Sequence, residues 1–165
     1  MIHEHSPLDS LGTGMNQKKL QLYDSLKAIF LHIDYQEKLF LGQFGLNIPR
    51  YFVLSHLSNK PGINNMDLSD LLLCTKSNTS RIVQGMLKDG LITRKEHPED
   101  KRSFQLFISE KGQALFEEVQ PAYYKQVSEL MSQIDNDKID LYLEVSESIE
   151  NILAPGKSKS LCEDK

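Results

Sequence analysis

One stretch, residues 63–108, leaves the chain few ways to fold, because within it the spacing of apolar side chains changes from helical to strand-like across a single glycine. Residues 66–72 make the first short helix, with Asn64 or Asn65 placed to accept from its free amide groups and Asp67 at the positive end of its dipole. Thr75 is the expected N-cap of a second helix, in which Thr79, Ile82, Val83 and Met86 recur at the intervals of one buried stripe. Gly90 suits the left-handed position that ends such a helix. Residues 91–95 then read as a strand, 97–101 as a polar turn and 103–108 as a returning strand. Two short helices, a tight connection and a projecting hairpin are the parts of a winged helix-turn-helix.

The second helix is two-faced. Opposite its stripe stand Lys76, Ser77, Asn78, Ser80, Arg81 and Gln84, hydrogen-bonding groups and two cations crowded toward the capped amino end. That end of a recognition helix reaches base edges in the major groove, so Thr75, Lys76, Ser77, Asn78, Ser80, Arg81 and Gln84 are the expected DNA-binding residues. Near the tip of the hairpin Arg102, with Lys101 beside it, would bring a guanidinium to a narrow minor groove, where negative potential is concentrated. Asp100 repels phosphate, and its expected task is structural, pairing with a nearby arginine to hold the wing. A formal net charge of −4 argues against such a partner only as a total. Residues 76–102 hold seven Lys or Arg against four acids, a surplus of three that leaves the remainder near −7. Phosphate affinity follows the cations that reach the backbone, and a basic face on an acidic body satisfies it.

The order and intervals of Ser80-Arg81-Ile82-Val83, Gly90-Leu91-Ile92, Pro98-Glu99-Asp100-Lys101-Arg102 and Ile108-Ser109-Glu110-Lys111-Gly112 resemble the MarR family of bacterial transcription regulators. The resemblance assigns Asp100 and Arg102 to the family's Asp-x-Arg wing, and Ile108, Ser109 and Gly112 to its Leu-Thr-x-x-Gly helix start. Leu73 stands where the family usually has glycine, Gly85 where it often has a charged residue, and Ser69 where alanine is common. The resemblance also implies a palindromic operator, no cofactor, and a small, often aromatic or phenolic effector seated between the helical body and the winged lobe. Tyr23, Phe30, His32, Phe52 and His56 are the candidate lining residues, each with plain core packing as its bland alternative.

The flanks read as helix. From 16 to 41, Leu20, Tyr23, Leu26, Ile29 or Phe30, and Ile33 recur at three and four residues, a stripe too long for the small lobe to cover. Gly42 and Gly45 break the chain, and Pro49 opens a helix over 49–57 whose stripe is Phe52, Val53, His56 and Leu57. Ser109 and Glu110 start a further helix, with a kink expected at Pro121, and Asp135 caps a last one over 138–153. The surplus of apolar surface predicts a two-fold homodimer, whose recognition helices about 34 to 36 Å apart would address successive major grooves. The expected fold is mainly α with a small β-hairpin wing: a flexible arm over 1–15, a helical dimerisation region over 16–44 and 109–153, the winged lobe over 46–108, and a disordered tail over 154–165.

Other function classes find little support. There is no run of about 18 apolar residues to span a membrane and no charged-then-apolar leader, which places the chain in the cytoplasm as an expectation. Cys74 and Cys162 are far apart and outside any metal-binding spacing, and His3 and His5 could touch a metal but, as two histidines on a flexible end, read as solvent-exposed, so no metal site is expected. No phosphate-cradling Gly-Lys-Ser loop, His-Glu-x-x-His helix or nucleophile elbow is present, and the chain reads as a non-enzyme. Two alternatives stay open: a thiol-based redox sensor acting through Cys74, next to the positive end of the second helix, and a winged helix used as a protein-interaction module.

Overall fold

The computed structural model describes residues 14–96 and 104–154. Most of the expected arm, the wing tip with Asp100, Lys101 and Arg102, and the tail with Cys162 lie outside the described residues. The elements run α1 (Gly14–Gly42), α2 (Ile48–Asn59), β1 (Ile63–Asn64), α3 (Asn65–Leu71), α4 (Lys76–Lys88), β2 (Ile92–Glu96), β3 (Phe104–Ile108), α5 (Glu110–Met131), a 3-10 turn (Asn136–Lys138) and α6 (Ile139–Leu153). The chain divides into two compact units, Met1–Gln120 and Pro121–Lys165, with the division falling inside α5 at Pro121. α5 continues through that proline as one helical segment.

Local chemistry sets the helix ends. The Asn47 carboxamide oxygen accepts from the Arg50 amide at the start of α2, and Pro49 occupies its first turn, where no backbone donor is needed. Asn64 caps α3, its Oδ1 accepting from Met66 and Asp67 at 2.9 Å each, while its Nδ2 donates to the Asp67 carboxylate at 3.0 Å. Three helices end in the same paired bonds across a left-handed residue. Leu46 N–H donates to Leu41 and Gly45 to Gly42; Cys74 donates to Ser69 and Leu73 to Asp70; Leu91 donates to Met86 and Gly90 to Leu87. Gly45 and Gly90 carry the positive φ at two of these stops, and Leu73 carries it, at 50°, at the third.

The core of the first unit collects Leu41 from the end of α1, Leu46 from the turn after it, Tyr51, Val53, Leu54 and Leu57 from α2, Leu68 from α3, Val83 and Met86 from α4, and Phe116 and Val119 from α5. Each buried side chain of this size contributes about 1.5–3 kcal/mol. The Tyr51 and Phe116 rings meet at 5.9 Å between centroids, tying α2 to the first part of α5.

The sheet differs from a plain hairpin. Its order is β1-β3-β2, antiparallel throughout, with Ile63 opposite Leu106 and Ile92 opposite Ile108. β1 is two residues long, too short to show any alternation of its own, and it is made by a distant partner: Gly62 N–H donates to the Leu106 carbonyl at 2.9 Å, beside the paired residues. On α1 the expected apolar stripe leaves Leu20 and Leu26 half-buried and Tyr23, Ile29, Phe30 and Ile33 exposed.

Candidate nucleic-acid interface

The amino end of α4 is held in place before it can be read by anything else. Thr75 Oγ1 accepts from the Asn78 amide at 3.3 Å, the expected cap. Thr79, Val83 and Met86 are buried against the lobe, as their spacing predicts, and Ile82 is half-buried. On the other side Thr75, Lys76, Ser77, Asn78, Arg81 and Gln84 are exposed, running from the cap into the third turn. Ser80 differs from them. It is half-buried, its hydroxyl donating to the Lys76 carbonyl at 2.8 Å and accepting from Asn65 Nδ2 at 3.1 Å, so it brackets α4 to the start of α3. Asn65, read from sequence only as a possible cap, thus has a different task.

Ser69 shows how the chain tolerates a polar group where a small apolar one is usual. It is buried at 3% exposure, and its hydroxyl donates to the Asn65 carbonyl at 2.8 Å, one turn back on α3. Its size suits the close α3–α4 packing and its one donor is satisfied internally.

The base of the wing is stiffened by cations laid over rings. The Arg94 guanidinium lies 4.7 Å from the centre of Phe104, and the Lys95 ammonium 4.9 Å from that of Phe107. Each ring is its cation's diagonal neighbour across β2 and β3, given that Arg94 stands opposite Leu106 and Lys95 opposite Gln105, and because Arg94 and Lys95 are consecutive the two pairs lie on opposite faces of the sheet. Asp100, Lys101 and Arg102 belong to the segment joining these strands, outside the described residues.

The carboxyl end of α4 is gripped from α5 and α2. Ser109 Oγ donates to the Gly90 carbonyl at 2.6 Å and accepts from the Gly112 amide at 3.0 Å, capping α5 and fastening it to the helix stop. Lys111 Nζ donates to the Asp89 carbonyl at 2.8 Å. Gly112 is there because nothing larger fits: a Cβ would lie 2.0 Å from the Leu91 carbonyl oxygen. From α2, Arg50 Nη2 pairs with Asp89 Oδ2 at 2.7 Å, and the guanidinium passes over Gly85. Sequence reading missed the Arg50–Asp89 pair, since neither residue lies on a recognisable face or motif.

A cleft of about 410 Å³ opens between α2 and the α3–α4 turn, lined by Ile48, Pro49, Phe52, His56, Leu71, Leu72, Leu73 and Cys74. It brings together Phe52 and His56 among the five candidate effector residues. Tyr23, Phe30 and His32 are exposed on α1 and are not among its lining. Burial pushes the His56 imidazole below its usual pKa, which favours the neutral ring. Cys74 is half-buried and accepts a long contact, 3.6 Å, from Asn78 Nδ2. Among the described residues no three His, Cys, Asp or Glu side chains gather to hold a metal, and no helix is long and apolar enough to cross a membrane.

Comparison with known proteins agrees with this geometry. The MarR family model matches residues 46–104. The HTH-type transcriptional repressor YetL of Bacillus subtilis is 24% identical over 147 residues, covering 87% of this chain and 86% of YetL. Among solved structures, a putative MarR-like transcription regulator from Bacillus cereus superposes with a TM-score of 0.75 at 18% identity, covering 85% of this chain and 99% of that one. A mutant MarR from E. coli, solved in complex with operator DNA, gives 0.73 at 16% identity, covering 83% and 99% respectively.

Proposed function

We propose that the chain, whose residues 46–104 match the MarR family model, is a MarR-type transcriptional regulator that represses transcription as a cytoplasmic homodimer seated on an inverted-repeat operator and released by a small effector. The observation that carries this reading is the exposed row on α4. Lys76, Ser77, Asn78, Arg81 and Gln84 stand at the capped amino end of a helix whose opposite face is buried, so they are presented rigidly and in a fixed order. Thr75 and Ser80 flank that row, Thr75 through the cap and Ser80 through its bracket to Asn65. In this reading Lys101 and Arg102 extend the contact along the duplex to the minor groove while Asp100 shapes the wing.

The effector reading rests on the cleft between α2 and the α3–α4 turn, whose volume of about 410 Å³ suits a small aromatic molecule. Phe52 would stack and the neutral His56 would supply a single hydrogen bond. A ligand that prefers a wider spacing of α2 and the turn shifts the population away from the DNA-competent arrangement of α4 by its difference in affinity for the two states.

Selection from a random pool of duplexes at fixed ionic strength tests the proposal. An inverted repeat should emerge, and Arg81→Ala should weaken its binding and lower the slope of log affinity against log salt by about one. A pool that stays unenriched, with Arg81→Ala and Arg102→Ala indistinguishable from the parent, would assign the fold to protein interaction instead.

A further inference from the structure

Gly85 sits in the middle of α4, where glycine costs helix stability relative to alanine. Its backbone does not require glycine, since it is not among the positive-φ residues. Its benefit is room. A Cβ at position 85 would stand 2.9 Å from Arg50 Nη2, the far end of a flexible side chain, so the guanidinium would have to shift from its place over the helix to admit it. The bare backbone lets the Arg50 guanidinium lie across the helix and reach Asp89 one turn further on, at 2.7 Å. Arg50 rises from the first turn of α2, held there by its amide's bond to Asn47 Oδ1 at 3.0 Å, and its side chain is about three-quarters buried. Asp89 is the C-cap of α4, and its carbonyl also receives Lys111 from α5. One carboxylate at the end of the helix therefore ties α4 to α2.

We propose that the Arg50–Asp89 pair is a strut that sets the tilt at which α4 presents its reading residues, and that the missing side chain at Gly85 exists to admit it. The inference rests on the regulator reading above. The strut lies at the end of α4 opposite to Lys76, Ser77 and Asn78, so it positions the helix without serving as a contact. A helix of this length spans roughly 20 Å, and a swing of a few degrees about one end moves the other by about 1 Å, enough to break base hydrogen bonds, whose distances vary by roughly half that. Asp89 is 45% exposed, so solvent screens the pair at that end and the effect of the strut should appear more in recognition than in stability.

The probe is the duplex that the parent protein enriches from the random pool, with a scrambled duplex of equal length beside it. Gly85→Ala displaces the guanidinium while improving helix propensity, and Asp89→Asn removes the charge while keeping the shape. Each should bind the enriched duplex about tenfold more weakly, the cost of one disturbed base contact, with scrambled-duplex affinity, salt slope and thermal midpoint close to the parent's. Arg50→Lys should fall between, because it keeps the charge and loses the planar fork. Equal affinity of parent and Gly85→Ala for the enriched duplex overturns the strut. So does an equal loss on both duplexes with a shallower salt slope, which would make Arg50 a phosphate contact. A parent that enriches nothing refutes the regulator reading first.

Discussion

Leu73 holds a left-handed backbone, φ 50°, with its side chain 91% exposed. The Schellman pair of bonds that ends α3, Cys74 to Ser69 and Leu73 to Asp70, needs that conformation at this position, and an L side chain adopts it at a cost of roughly 1–2 kcal/mol. At the end of α4 the same geometry is served by Gly90 without strain. Leu73→Gly should therefore stabilise the protein by about 0.5–1 kcal/mol, the relief of strain less the extra freedom of the unfolded chain. A higher urea midpoint at unchanged m-value is the expected reading, and a lower midpoint would mean that the leucine side chain, at the rim of the cleft, is worth more than the strain. His56 supports a second expectation. Burial lowers its folded-state pKa below the usual 6.5, so below about pH 6.5 the unfolded chain binds this proton more readily than the folded one. Stability from this site is complete above the unfolded pKa and is lost as pH falls through the folded value. Urea midpoints followed downward from about pH 7 should decline less steeply in His56→Gln than in the parent. Equal slopes would show that the imidazole is as well solvated folded as unfolded.

At the scale of the element, what could be read in advance was what one segment states about itself. The α4 stripe, its Thr75 cap and its Gly90 stop are all local, and each stands where spacing and residue type placed it. Contacts between distant segments were not legible. β1 has two residues and no pattern, and it is a strand only because Leu106 and Gln105 lie opposite it. Ser80 carries the signature of a base-reading serine, yet its bonds go to Lys76 and to Asn65 on the neighbouring helix. Arg50 reads as an ordinary polar residue at the start of α2 until Asp89 is seen beside it. Gly112 marks an intermediate case: the motif names it, but only the Leu91 carbonyl, 2.0 Å from where a Cβ would stand, supplies the reason. A pattern thus located the candidate interface, while the struts behind it depended on which elements the fold brings together.

For the whole molecule the question is what covers the apolar sides of the terminal helices. On α1, Leu22, Tyr23, Ile29, Phe30, Leu31, Ile33, Tyr35 and Leu39 are all more than 40% exposed. On α6, Leu141, Tyr142, Leu143, Val145, Ile152 and Leu153 are too, and α6 buries none of its residues. Exposed apolar side chains in this number are what the homodimer proposed above would cover. Their count on two separate helices favours a second copy as the occupant, because a closed two-fold pair covers the same faces on both partners at once. In such a homodimer folding is coupled to association, and the thermal midpoint should rise with protein concentration. The parent should sediment at twice its 18.9 kDa. Replacing Phe30 and Leu143 together by aspartate puts two charges into the covered faces and should yield monomer. The monomer keeps one α4, so it should retain scrambled-duplex binding and lose the enriched inverted repeat by a factor on the order of 10² or more, the advantage of two linked half-site contacts. A parent that sediments as a monomer at every concentration, yet binds the inverted repeat tightly, would separate recognition from symmetry and leave those apolar faces to some other partner.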